Sequence, residues 1–143
     1  MFCRWRHRAR TDNVLKLERA IGILIGALAF GLAHGLITGA WMRASLTPDP
    51  MIRPWFTNST GAVLLTAAIV AAGAFAHALG AADRRGALIR GVTAGTGAIV
   101  AMLALLVRMG AGNLGPIVFI VGGAILLAAG AAGGGLAAGV KRQ

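Results

Sequence analysis

Four long apolar runs, separated by polar segments, dominate the hydrophobic pattern of the chain. They cover about residues 20–41, 60–80, 87–107 and 116–139. An α-helix needs roughly 20 apolar residues to cross the ~30 Å hydrocarbon core of a bilayer, and every run is at least that long. The pattern predicts an all-α integral membrane protein with four transmembrane helices.

The polar segments divide this membrane domain from its flanks. The predicted parts are a basic cytoplasmic N-terminal segment (1–19), a four-helix transmembrane domain (20–140) and a cytoplasmic tail (141–143). The first helix is predicted to start near Asn13, with Thr11 or Asp12 as its N-cap.

The second and fourth runs begin with residues that favour helix starts. Asn58, Ser59 or Thr60 can cap the second helix, and Pro116 suits the first turn of the fourth. Short connections favour antiparallel packing of consecutive helices, so we expect an up-down bundle.

Composition supports the membrane interpretation. The chain of 143 residues is 57% hydrophobic and 13% charged, with a mean hydropathy of +0.78. Soluble domains carry about 25% charged residues. The net charge of +10 comes from basic residues at the edges of apolar runs, which is typical of membrane flanks. These basic residues do not form a stripe across a polar face, so we expect no nucleic-acid partner.

The distribution of Lys and Arg predicts the orientation. If four helices cross the membrane, both termini lie on one side. That side carries eleven of the 14 basic residues, and the other side carries three. The positive-inside rule therefore predicts cytoplasmic termini in a multi-pass protein of the inner (plasma) membrane. Trp41, Trp55, Arg84 and Arg85 are the expected interfacial anchors.

Glycines follow helical spacing within the first run. Gly31, Gly35 and Gly39 form one stripe, and Gly22 and Gly26 form a second pair on another face. Small residues allow close backbone contact between membrane helices. Two alternatives remain for the longer stripe, namely packing within the bundle and packing against a partner, either another membrane subunit or a second copy.

Similar small-residue faces occur on the other three runs. They consist of Ala68, Ala72, Ala76 and Gly80 on the second, Gly91 and Gly95 on the third, and Gly122, Gly130 and Gly134 with a second face of Ala131, Gly135 and Gly139 on the fourth. We expect such faces to hold the helices together.

The chain offers little catalytic chemistry. The acidic residues are Asp12, Glu18, Asp49 and Asp83, and none lies within a predicted span. Carriers driven by protons or cations usually need a carboxylate there. With one cysteine and no hydrolase, metal or nucleotide motif, we predict no catalytic site and neither a metal nor a cofactor.

Two histidines lie within the predicted spans. His34 and Thr38 form a possible intramembrane polar site, in which we expect a neutral imidazole bonded to Thr38 or to a backbone carbonyl. His77 is expected near the interface, in contact with solvent. The predicted depths of the two imidazoles differ by about 16 Å, which argues against a shared haem.

These features favour a small non-catalytic protein that serves as an accessory or assembly subunit of a larger membrane complex. A small homo-oligomeric channel or carrier, with His34 and Thr38 in its pore, is the first alternative. A holin-like membrane protein is the second.

Overall fold

Four α-helices make up the structure, a computed structural model. It describes the backbone of residues 2–46, 58–110 and 116–140, and the side chains of residues 14–46, 58–110 and 119–140. The helices are α1 (Phe2–Leu46), α2 (Ser59–Leu79), α3 (Arg84–Arg108) and α4 (Pro116–Val140). All four are long and apolar enough to cross a membrane, and the described ranges contain no strand. The all-α membrane class is confirmed.

Helix α1 is much longer than the sequence pattern predicts. It begins at Phe2, not near Asn13, and its 45 residues extend over about 67 Å at 1.5 Å per residue. The first 21 residues contain no glycine or proline to end a helix. Eleven of these 21 residues are Arg, Ala, Leu, Lys or Glu, which favour helix formation. The helix therefore continues from the membrane span through the basic segment.

Side-chain caps fix the starts of α2 and α3. The Oδ1 atom of Asn58 accepts the Gly61 N–H at 2.6 Å, as expected for one of the three candidate caps. The Oδ1 atom of Asp83 accepts the Gly86 N–H at 2.7 Å. Because Asp83 caps α3, this helix starts three residues earlier than predicted, and the link from α2 is only 80–83.

Helices α2 and α3 lie between α1 and α4. Each of the outer helices packs against both inner ones, and the two inner helices also contact each other. Along α1 and α2 the contacts run in opposite order, since Gly22 lies beside His77 and Ala29 lies beside Gly73.

The core consists of small side chains. One cluster contains Ala29, Val70, Ala98 and Leu126, and Val70 is the largest fully buried side chain among the described residues. A second cluster, formed by Ala78, Ala81, Ala87, Ala137 and Ala138, lies near the 80–83 link. Small residues allow the backbones to approach, which is how helices gain packing energy within lipid.

Glycines also allow close backbone contact between α3 and α4. A Cβ atom added to Gly91 would lie 2.5 Å from the Gly130 carbonyl oxygen, and one added to Gly130 would lie equally close to that of Gly91. Gly95 and Gly134 extend the contact. These partners keep the glycine-rich end of α4 helical despite its low intrinsic helix propensity.

The packing face of α2 differs from the predicted one. Ala68, Ala72 and Ala76 are exposed, whereas Val70 and Ala74 are buried. A membrane helix is apolar on all sides. Four-residue spacing of alanines therefore did not identify the face that meets the other helices.

Candidate functional site

The two glycine groups of α1 have opposite environments. Gly22 and Gly26 are buried against α3. A Cβ atom at Gly26 would overlap the carbonyl oxygen of Ala94, and one at Gly22 would overlap the Thr93 hydroxyl. Gly97 of α3 makes the reciprocal contact with the Ile23 backbone. This pair therefore holds α1 to α3.

The longer stripe of α1 faces outward. At Gly31, Gly35 and Gly39, an added Cβ atom would meet nothing within 4 Å, and all three residues are exposed. On the same face, toward the N-terminus, Leu28 is 64% exposed. The structure therefore does not place the stripe against another helix of the described bundle, and packing within the bundle is not its role here.

The candidate polar pair lies beside this stripe. The Thr38 Oγ1 and His34 Nε2 atoms are 3.4 Å apart, and both residues are half-buried. This is the contact expected for a structural histidine.

The predicted interfacial anchors are only partly described. Trp41 is 60% exposed near the end of α1, and Arg84 and Arg85 are exposed in the first turn of α3. Trp55 lies outside the described residues.

A second site joins three helices and was missed by the sequence analysis. We call it the polar junction, formed by Glu18 of α1, His77 of α2, and Arg90 and Thr93 of α3. The Arg90 Nη2 atom lies 2.7 Å from Glu18 Oε1. Its Nη1 atom donates to the His77 carbonyl oxygen at 3.4 Å. Arg90 thus connects all three helices.

Gly22 makes space for this junction. A Cβ atom at Gly22 would lie 3.2 Å from the His77 Nε2 atom, which is buried and has no hydrogen-bond partner among the described residues. The Thr93 hydroxyl donates to the Arg90 carbonyl oxygen at 2.9 Å. Burying an unpaired nitrogen costs free energy. The Nε2 atom of His77 is therefore not solvated, contrary to expectation, although the residue as a whole is half-buried.

One signal in the sequence could have indicated the junction. Arg90 lies inside the predicted third span (about residues 87–107), but the charge count above includes it among the eleven basic residues of the cytoplasmic side. Charges within membrane spans are rare and usually paired. Glu18 was placed before the first span, although it lies on the same continuous helix. A search for an acidic partner of Arg90 would therefore have identified Glu18.

Two cavities accompany these sites. A cleft of about 80 Å³ between α1 and α3 is lined by Leu15, Glu18, Arg19, Gly86, Ile89, Arg90 and Thr93. An apolar cavity of about 220 Å³ lies toward the opposite end of the bundle, and Phe30, Val63, Met102 and Leu126 are among its lining residues.

Within the described part of the chain, no three His, Cys, Asp or Glu side chains are grouped to hold a metal ion.

Comparison with protein-family models, with curated proteins and with solved structures found no match to this chain.

Proposed function

We propose that this chain is an accessory or assembly subunit of a larger membrane complex, without catalytic activity of its own. The proposed contact is the outward stripe of Gly31, Gly35 and Gly39, and its occupant is a transmembrane helix of another subunit. The observation that carries the proposal is the open space beside all three glycines.

A purely lipid-facing role would not favour these residues. Glycine costs about 1 kcal/mol relative to alanine in a helix interior. Leucine at the centre of a membrane helix instead favours insertion by about 0.3–0.6 kcal/mol. Elsewhere on the outer surface of α1 the chain has exposed leucines, for example Leu24 and Leu32. Three exposed glycines in one stripe are explained by a neighbour that needs close backbone approach.

The proposed orientation has both termini on the cytoplasmic side of the inner membrane, in an up-down bundle. Eleven basic residues against three support that side. The opposite order of contacts along α1 and α2, and the short 80–83 link, support the antiparallel arrangement.

The channel or carrier alternative has less support. It needs His34 and Thr38 to point into a pore between copies, but both are half-buried and contact each other. The same stripe could pair with a second copy of this chain, and the experiment below distinguishes that outcome.

The test is Gly35→Leu, at the middle of the stripe. Leucine would separate the two helices by the width of a side chain. It should cost about 1–2 kcal/mol of association, which corresponds to a roughly fivefold to thirtyfold weaker complex. Membrane abundance should stay normal. The unfolding free energy of the isolated chain should not fall, because the new side chain meets nothing in the bundle.

Assembly is measured by native mass after purification from membranes in mild detergent. Leu36→Ala is the control, because it changes an exposed neighbour on a different side of the helix. The proposal requires other subunits that Gly35→Leu releases and Leu36→Ala retains. An oligomer of this chain alone would contradict the accessory role, and an assembly unaffected by Gly35→Leu would show that the stripe faces lipid.

A further inference from the structure

We infer that the cleft between α1 and α3 binds the phosphate group of an anionic phospholipid. The cleft lies beside the polar junction, and neither the partner stripe nor the proposed function depends on it. Glu18, Arg19, Arg90 and Thr93 supply its polar lining, and two apolar side chains complete it.

The charge of the lining favours an anion. Arg19 and Arg90 contribute two positive charges, and Glu18 contributes one negative charge, which leaves a net charge of +1. A guanidinium has five N–H donors in a fork that matches phosphate oxygens. The contacts of Arg90 with Glu18 and with the His77 carbonyl oxygen use two of these donors. Arg19 is exposed and also lines the cleft, so its guanidinium is available to bind the same phosphate.

The depth of the cleft favours a lipid over free phosphate. Arg90 lies six residues beyond Arg84, the first residue of α3, which is about 9 Å along the helix axis. The headgroup layer is about 5–7 Å thick on each side of the hydrocarbon core. The Arg90 side chain reaches the His77 carbonyl oxygen near the end of α2. Because long basic side chains extend back toward the interface, we place its guanidinium near the level of lipid phosphates.

The apolar lining fits the rest of the same lipid. Leu15 is 51% exposed and Ile89 is 43% exposed, on either side of the cleft. A phospholipid whose phosphate contacts the arginines would lay its glycerol and upper acyl chains along these side chains. Basic pockets between transmembrane helices bind anionic headgroups in this way. Inorganic phosphate would leave both side chains uncovered.

The experiment measures lipid binding to the purified full chain by native mass spectrometry. Phosphatidylglycerol is titrated against phosphatidylcholine, and inorganic phosphate is added as a competitor. Arg19→Gln removes a cleft charge without touching the pair between Glu18 and Arg90. Arg85→Gln is the matched control, because Arg85 is exposed on α3 and does not line the cleft. Both variants lose one positive charge, so a nonspecific attraction would weaken equally in both.

We expect the wild-type chain to prefer phosphatidylglycerol. Arg19→Gln should bind it about tenfold more weakly, which corresponds to the loss of one charged hydrogen bond, and Arg85→Gln should bind it as the wild type does. Equal binding of the two lipids, or equal weakening in both variants, would overturn the inference. So would complete displacement of the lipid by millimolar inorganic phosphate, because the site would then recognise the free ion.

Discussion

Gly26→Ala tests the contact that holds α1 to α3. The substitution adds one methyl group to a buried position. Its Cβ atom would overlap the Ala94 carbonyl oxygen and lie 2.6 Å from the Ala94 carbonyl carbon. Normal contact distances are about 3.5–4.0 Å, so the two helices would have to separate by more than about 1 Å. Backbone atoms cannot move away by changing rotamer, so neither helix can absorb the overlap locally.

The magnitude follows from two opposing effects. Overpacking a tight contact typically costs about 1–3 kcal/mol. The cost of Gly26→Ala should lie near the upper end of this range, because the backbone atoms that it meets cannot move aside. Alanine gains about 1 kcal/mol over glycine in helix propensity. The net prediction is a loss of about 2 kcal/mol in the free energy of unfolding.

Unfolding is followed by circular dichroism during titration of sodium dodecyl sulfate into mild-detergent micelles. Gly35→Ala is the matched control, because the same methyl group on the same helix meets nothing within 4 Å. It should leave the stability of the isolated chain unchanged or raise it by up to about 1 kcal/mol. If Gly26→Ala is as stable as Gly35→Ala, then the close approach of α1 and α3 does not occur and the assignment of the two glycine groups is wrong.

Two further predictions concern orientation and the polar junction. The charge bias predicts a cytoplasmic N-terminus. Cys3, the one cysteine of the chain, should therefore resist a membrane-impermeant maleimide in intact cells and react with it after permeabilisation. Labelling of Cys3 in intact cells would show that the N-terminus lies on the opposite side. A double-mutant cycle of Glu18→Gln and Arg90→Gln should give a coupling of about 1 kcal/mol in the same unfolding assay, since side chains 40% and 17% exposed lie between surface and buried pairs. Additive effects would show that the pair contributes nothing.

The number and class of the helices could be predicted from the sequence because run length alone decides them. A bilayer requires about 20 apolar residues per span, and the chain satisfies that requirement four times. Local chemistry also predicted two helix starts, because helix starts depend on a few neighbouring atoms: Asn58 caps α2, and α4 begins at Pro116. The predicted start of α1 was wrong because a residue that can cap a helix does not have to end it. Thr11 and Asp12 can cap a helix, but nothing before them prevents the helix from continuing to Phe2.

The direction in which each small-residue face points could not be predicted. In water, an apolar stripe marks the buried side of a helix, but in lipid both sides are apolar. The glycines of α1 and the alanines of α2 therefore carry the same spacing signal whether they meet a helix or the surface. Gly26 and Gly35 differ only in what lies opposite, and that depends on how α1 is rotated against α3.

Inward-facing residues fix the rotation of α1. Glu18 pairs with Arg90, Gly22 lies against the Thr93 side chain, and Gly26 meets the α3 backbone at Ala94. The outward stripe at Gly31, Gly35 and Gly39 meets no other described helix, so it is not needed to hold α1 in place. The protein can therefore change its outer surface without losing its fold. A variant of the stripe should alter association while leaving the bundle intact, whereas a variant at Gly26 should weaken both. This separation allows the proposed role in assembly to be tested apart from stability.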